Sequence, residues 1–149
     1  MKSWDTNFLL RHLLEDDAPK LAVVRRELAL AEAGENTIFL PQIVLVEVAW
    51  FLRSLLPRLD VLDTLREVLE DSRFICEKAP TVEEALGKAR IKGDFPDQLI
   101  AAAARAARAE PVQTFDSALR KFPEFEVHKP KFINEKPRIT RKARIKRYL

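Results

Sequence analysis

The 149-residue chain is long enough for one well-formed core and short for two, and 47% apolar residues with only three glycines describe a compact globular chain. No apolar run approaches the roughly 20 residues needed to cross a bilayer, and a single cysteine, Cys76, excludes an intrachain disulfide and a zinc site built on several thiolates. The formal charge of +3 is unevenly spread: residues 129–149 carry nine Lys or Arg and one Glu, which leaves residues 1–128 at −5.

The N-terminus, MKSWDTNFLL, carries Asp5 and Asn7 where a signal peptide needs an uninterrupted apolar region, so a soluble cytoplasmic protein is expected. KSWD predicts a short strand. TNFLLRHLLEDD then places Phe8, Leu9, Leu13 and Leu14 on one helical stripe, which the acidic residues Glu15, Asp16 and Asp17 end. Pro19 opens a second helix with Leu21, Val24, Leu28 and Leu30 on a rough apolar face, and Gly34 stops it. TIFL is a β-rich run. Pro41 follows at a natural first helical position, and QIVLVEVAWFLRSLL is apolar almost all round, which predicts a largely buried helix. Beyond Pro57, RLDVLDTLREVLED is amphipathic, and RFIC is a third strand on which Cys76 reads as a small hydrophobe. Thr81-Val-Glu-Glu forms a capping-type helix start. Residues 96–109 make an alanine-rich helix, VQTF a fourth strand, SALRKF a short helix and FEVH a fifth strand.

Strands alternating with helices predict an α/β domain over residues 1–130, a doubly wound, short parallel sheet of four to five strands flanked by helices. The strands are apolar rather than alternating, as burial on both faces requires. Residues 131–149 form a separate basic tail, expected to be flexible. It reads either as a solubilising end or as a counter-charge for RNA phosphates or an acidic partner.

In such a sheet functional groups gather beyond the carboxyl ends of the strands. Asp5 follows the first strand, Glu47 lies six residues into the helix after the second, Asp94 and Asp97 begin the alanine-rich helix, and Asp116 follows the fourth strand. Asp5 and Asp116 also suit helix N-caps, each contributing about 1 kcal/mol, and Asp94 and Asp97 suit the cap and third residue of the alanine-rich helix. Glu47 does not, because it sits in mid-helix between apolar neighbours. Its burial there would require a cation, either an arginine such as Arg53 or Arg11, or a metal ion that also relieves repulsion among the other acids. No histidine lies near these acids, and an all-oxygen set suits Mg2+ or Mn2+ rather than zinc or copper. Such sites commonly serve phosphoryl transfer.

WDTNFLLRHLLEDD, LPQIVLVEVAWFLR, GDFPDQLIAAAA and VQTFDSAL together resemble the signature segments of PIN-domain proteins, most closely the VapC-type toxins of toxin–antitoxin pairs, over residues 1–128. The resemblance implies a PIN-like doubly wound domain and a Mg2+- or Mn2+-dependent endoribonuclease. On it, Asp5, Glu47, Asp97 and Asp116 match the metal-holding, catalytic acidic quartet, and Asp94 matches an additional acid. Asn7 and Thr114 match polar residues that order the site. The helix around Trp50, Phe51 and Leu55 lies where such toxins receive an antitoxin segment, and the family is commonly dimeric. Trp4 departs from the usual smaller aliphatic residue, and the tail has no counterpart.

RNA phosphodiester hydrolysis is therefore the leading expectation, with a non-catalytic protein binding RNA or a partner through its tail as the alternative. A haloacid-dehalogenase-like phosphatase also begins with Asp after its first strand, but it needs a second Asp where this chain has Asn7. A response-regulator receiver needs paired acids ahead of its phosphorylated Asp and fits no better.

Overall fold

A computed structural model of the chain describes residues 1–131. The predicted basic tail therefore lies, from residue 132 onward, outside the described residues. Two compact units are present, Met1–Val112 and one that begins at Gln113.

In the first unit, helices separate three strands: β1 (Lys2–Ser3), α1 (Thr6–Leu14), α2 (Ala18–Glu32), β2 (Ile38–Leu40), α3 (Gln42–Arg53), α4 (Arg58–Glu70), β3 (Phe74–Cys76), α5 (Ala79–Ile91) and α6 (Phe95–Ala106). The strands form one parallel sheet in the order β1-β2-β3, with Lys2 opposite Ile38 and Ile38 opposite Phe74. Parallel neighbours need a crossover, and each helix pair between them supplies one. Backbone bonds run past the strand ends: Trp4 N–H donates to Phe39 O at 3.0 Å, and Glu77 N–H to Leu40 O at 2.9 Å. Asp5 is thereby held at the carboxyl end of the ladder.

Ile38 and Leu40 on the central strand pack into one core with Leu9, Leu45, Leu52 and Leu65. Trp4 is also buried there. Its ring lies 4.8 Å from Phe8 and 5.3 Å from Phe74, and His12 closes the cluster at 6.0 Å from Phe74. This aromatic nest accommodates the large residue before Asp5. Cys76 is half-buried, and burial pushes its thiol up to about 11, so it stays protonated and acts as a small hydrophobe.

Several local expectations need correction. Helix α3 is not buried all round, because only one side faces the core. Val44, Leu45, Val48, Ala49 and Leu52 are covered, whereas Ile43, Trp50 and Phe51 are exposed. The capping-type sequence at Thr81 does not start α5; the helix begins at Ala79 with Pro80 in its first turn and Lys78, in left-handed conformation, before it. The alanines of α6 serve a helix–helix contact. Ala101 and Ala102 are buried where α6 meets α5, whose own Ala85 and Ala89 are buried too.

The second unit holds β5 (Phe125–Val127) and most of β4 (Val112–Thr114), which pair in a two-stranded sheet, with a 3-10 helix (Ser117–Lys121) between them. Among the described residues five strands are thus present, but in sheets of three and two where a single parallel sheet of four to five was expected. Leu119, Phe122 and Phe125 are buried, the two phenyl rings meeting at 6.4 Å.

The aromatic nest has a pH signature. Burial, and next the nearby Arg73 guanidinium, hold His12 below its ordinary value of 6.5, so the fold favours the neutral ring. Protons then bind preferentially to the unfolded chain, and this contribution is complete above pH 6.5 and declines as pH falls below it. Thermal melts between pH 7.5 and 5.5 should show a falling midpoint whose slope flattens in His12→Gln. A midpoint that does not move with pH in the unaltered chain would contradict this.

Candidate functional site

Asp5 N-caps α1, its Oδ1 accepting from Phe8 N–H at 2.8 Å, which leaves Oδ2 outside that bond. The next residue, Thr6, donates its hydroxyl to Glu47 Oε2 at 2.9 Å. One hydrogen bond therefore joins the residue after Asp5 to the middle of α3. Thr6 was missed in the sequence reading, although it is the centre of the D-T-N triplet; a hydroxyl beside the first acid was the available signal. Asn7, expected to order this region, is exposed and lines a shallow cavity of about 240 Å3 with Asp5, Phe8, Arg11 and Lys20.

The burial expected of Glu47 is not found. The residue is exposed, since it lies on the flank of α3 that the core does not cover, so no buried charge demands compensation. Neither arginine considered as its partner serves it. Arg11 pairs with Asp16 at 2.7 Å, and Arg53 pairs with Asp94 at 2.9 Å.

Asp94 occupies the N-cap position of α6 but makes no capping bond, so helix capping does not account for it. Its Oδ2 accepts from Arg53, and its Oδ1 is buried without a hydrogen-bond partner among the described residues. Gly93 makes the turn into α6 at φ +90°, and Arg58 donates to the carbonyls of Ala89 and Gly93, fixing the α5–α6 connection. Pro96 sits in the first turn of α6 together with Asp97, which is half-buried. A groove of about 480 Å3 opens beside Asp94, lined by Trp50, Arg53, Leu56 and Phe95 among others.

The first turn of α3 is served from a distance. Pro41 at its N-cap has no side-chain donor or acceptor to offer, and Glu77, just past β3, accepts from Gln42 N–H at 2.9 Å. That carboxylate also escaped the sequence reading, because nothing local to Pro41 announces it.

In the second unit, Asp116 caps the 3-10 helix by accepting from Ala118 N–H at 2.9 Å, and its own N–H donates to Thr114 Oγ1 at 3.0 Å. Thr114 thus shapes the turn that carries Asp116. The capping roles weighed for Asp5 and Asp116 are both realised, each through one carboxylate oxygen.

These donors suit a hard divalent ion in kind. They are oxygen ligands, and Asp5, Glu47 and Asp116 are open to the water that Mg2+ tends to retain. Among the described residues, however, no three His, Cys, Asp or Glu side chains converge into a group that could hold an ion. None of the described helices is long and apolar enough to cross a membrane.

Compared with known proteins, the family profile of the PIN domain matches residues 4–124, a span that contains all five acids. No curated protein and no solved structure matches the chain.

The Thr6–Glu47 bond can be weighed directly. Thr6→Val removes the donor while keeping the shape, and should cost about 0.5–1.5 kcal/mol in chemical denaturation. Glu47→Gln retains a carbonyl acceptor and should cost less. Equal stability of Thr6→Val and the unaltered chain would show that the bond contributes nothing.

Proposed function

Because the chain belongs to the PIN-domain family, whose members are typically metal-dependent nucleases, we propose that it is a Mg2+- or Mn2+-dependent endoribonuclease acting as the toxin of a toxin–antitoxin pair. The observation that supports the reading is the Thr6–Glu47 hydrogen bond, which ties the residue after Asp5 to an acid 41 positions further along the chain.

In this reading Asp5 and Asp97 would hold one or two ions at the scissile phosphate, and Glu47 and Asp116 would supply further oxygen ligands and orient the attacking water. When bound, the ion polarises a phosphate oxygen and lowers the pKa of that water. Thr6 fixes the Glu47 carboxylate, and Thr114 fixes the turn bearing Asp116. Asp94 acts beside them by holding Arg53, whose guanidinium is otherwise largely exposed and suits a neighbouring phosphate of the RNA.

The toxin role is supported by the uncovered side of α3. Trp50 and Phe51 on α3, and Leu55 just past its end, are exposed apolar side chains suited to an antitoxin segment or a second copy of the chain. The basic residues 131–149 supply counter-charge for RNA phosphates as an appendage to the domain of residues 1–130.

One observation favours the competing reading, binding without turnover. No three acidic side chains among the described residues converge as a metal group.

RNA cleavage separates the two. Incubation of single-stranded RNA with the full chain and Mg2+ or Mn2+ should yield internal cuts that a chelator abolishes. Asp5→Asn and Asp97→Asn should each lower the rate by about 100-fold or more. Full activity in either variant would remove that residue from the site, and RNA binding without cleavage under every metal would establish the competing reading.

A further inference from the structure

Phe115 is out of place for an ordinary core residue. In a unit that buries Leu119, Phe122 and Phe125, it stands 76% exposed between Thr114 and Asp116. Its ring meets the His128 imidazole nearly edge-on, with centroids 6.5 Å apart and planes at 69°. The main chain supports this pair, since His128 N–H donates to Thr114 O at 2.9 Å. Around the two rings lies a cavity of about 490 Å3, lined by Gln113, Thr114, Phe115, His128, Lys129 and Pro130.

This lining combines three elements that an unpaired nucleotide uses. An exposed aromatic face stacks a base, neighbouring amide and hydroxyl groups meet its edge, and a cation meets its phosphate. Thr114 accepts from Asp116 N–H through its hydroxyl oxygen, so its own O–H remains able to donate. Lys129 supplies the positive charge. The cavity volume falls within the range of small-molecule sites, roughly 300–1,000 Å3, and exceeds what a single water-filled crevice needs.

We propose that Phe115 and His128 form a stacking subsite for one unpaired base of the RNA, with Lys129 on its phosphate. The proposal rests on the nuclease reading and deepens it: Phe115 adjoins Asp116 in the chain, so a base stacked there would sit next to the nucleotide at which Asp116 acts. Phe115 is a specificity-determining residue in this scheme and not a catalytic one.

The test uses the full-length chain and a short single-stranded RNA carrying 2-aminopurine, whose fluorescence is quenched by stacking. Without added metal, the unaltered chain and Phe115→Trp should quench the probe, and Phe115→Ala should not. In cleavage assays Phe115→Ala should raise KM by roughly 5- to 150-fold, the range of single-base stacking losses, and leave kcat nearly unchanged. Phe115→Leu, which keeps apolar bulk without an aromatic face, should behave as Phe115→Ala; its thermal midpoint shows that the loss is not one of folding. Equal quenching and equal KM in Phe115→Ala would overturn the subsite while leaving the nuclease intact. A chain that neither binds nor cleaves RNA would overturn both readings.

Discussion

The hydrogen bond from Thr6 to Glu47, 2.9 Å long, depends on nearly everything the first unit does to bring it about. Thr6 can reach α3 only because β1 and β2 run parallel in register and Trp4 extends their pairing to the brink of Asp5. Glu47 can be reached only because α3 turns Leu45, Val48 and Leu52 inward and leaves its other flank open. The cluster of Trp4, Phe8, His12 and Phe74 holds the start of α1 against the sheet, which keeps the donor in place. A polar contact at the edge of an apolar core thus becomes the point where two chain segments present their acids.

Much of the alternation of strands and helices was legible locally. The α1 stripe of Phe8, Leu9, Leu13 and Leu14 packs on the core, although the buried Leu10 lay outside it, and short apolar strands such as Ile38–Leu40 follow from periodicity and burial. Caps were legible where donor and acceptor are close in sequence, as at Asp5 and Asp116. They were not where tertiary structure intervenes. Glu77 caps α3 from beyond β3, and Asp94, at the N-cap position of α6, pairs with Arg53 in place of a capping bond. The Thr81 capping pattern lost to Pro80, whose fixed φ suits the first turn of a helix that begins earlier.

Glu47 shows the sharpest limit of reading from residues alone. Apolar neighbours on a helix report its composition and not which of its sides the core covers. An apolar helix with a half-open flank and a fully buried one read alike, so Glu47 was singled out for a burial it does not have. What gives it interest is its bond to Thr6, a long-range contact with no local sequence signal. The same open flank explains the exposed Trp50 and Phe51, which cost solvation in the isolated chain and would be offset by a covering partner.

Metal binding by the full chain is the most direct measurement, because it needs no knowledge of the RNA. Titration with Mn2+, followed by calorimetry or by the electron paramagnetic resonance of the free ion, should give saturable binding in the unaltered chain. Asp5→Asn and Glu47→Gln should each weaken it by about 10-fold or more, whereas Arg53→Ala, which removes a cation and no ligand, should not weaken it. Mn2+ affinity unchanged by Asp5→Asn and Glu47→Gln together would contradict a metal centre built on Asp5 and Glu47.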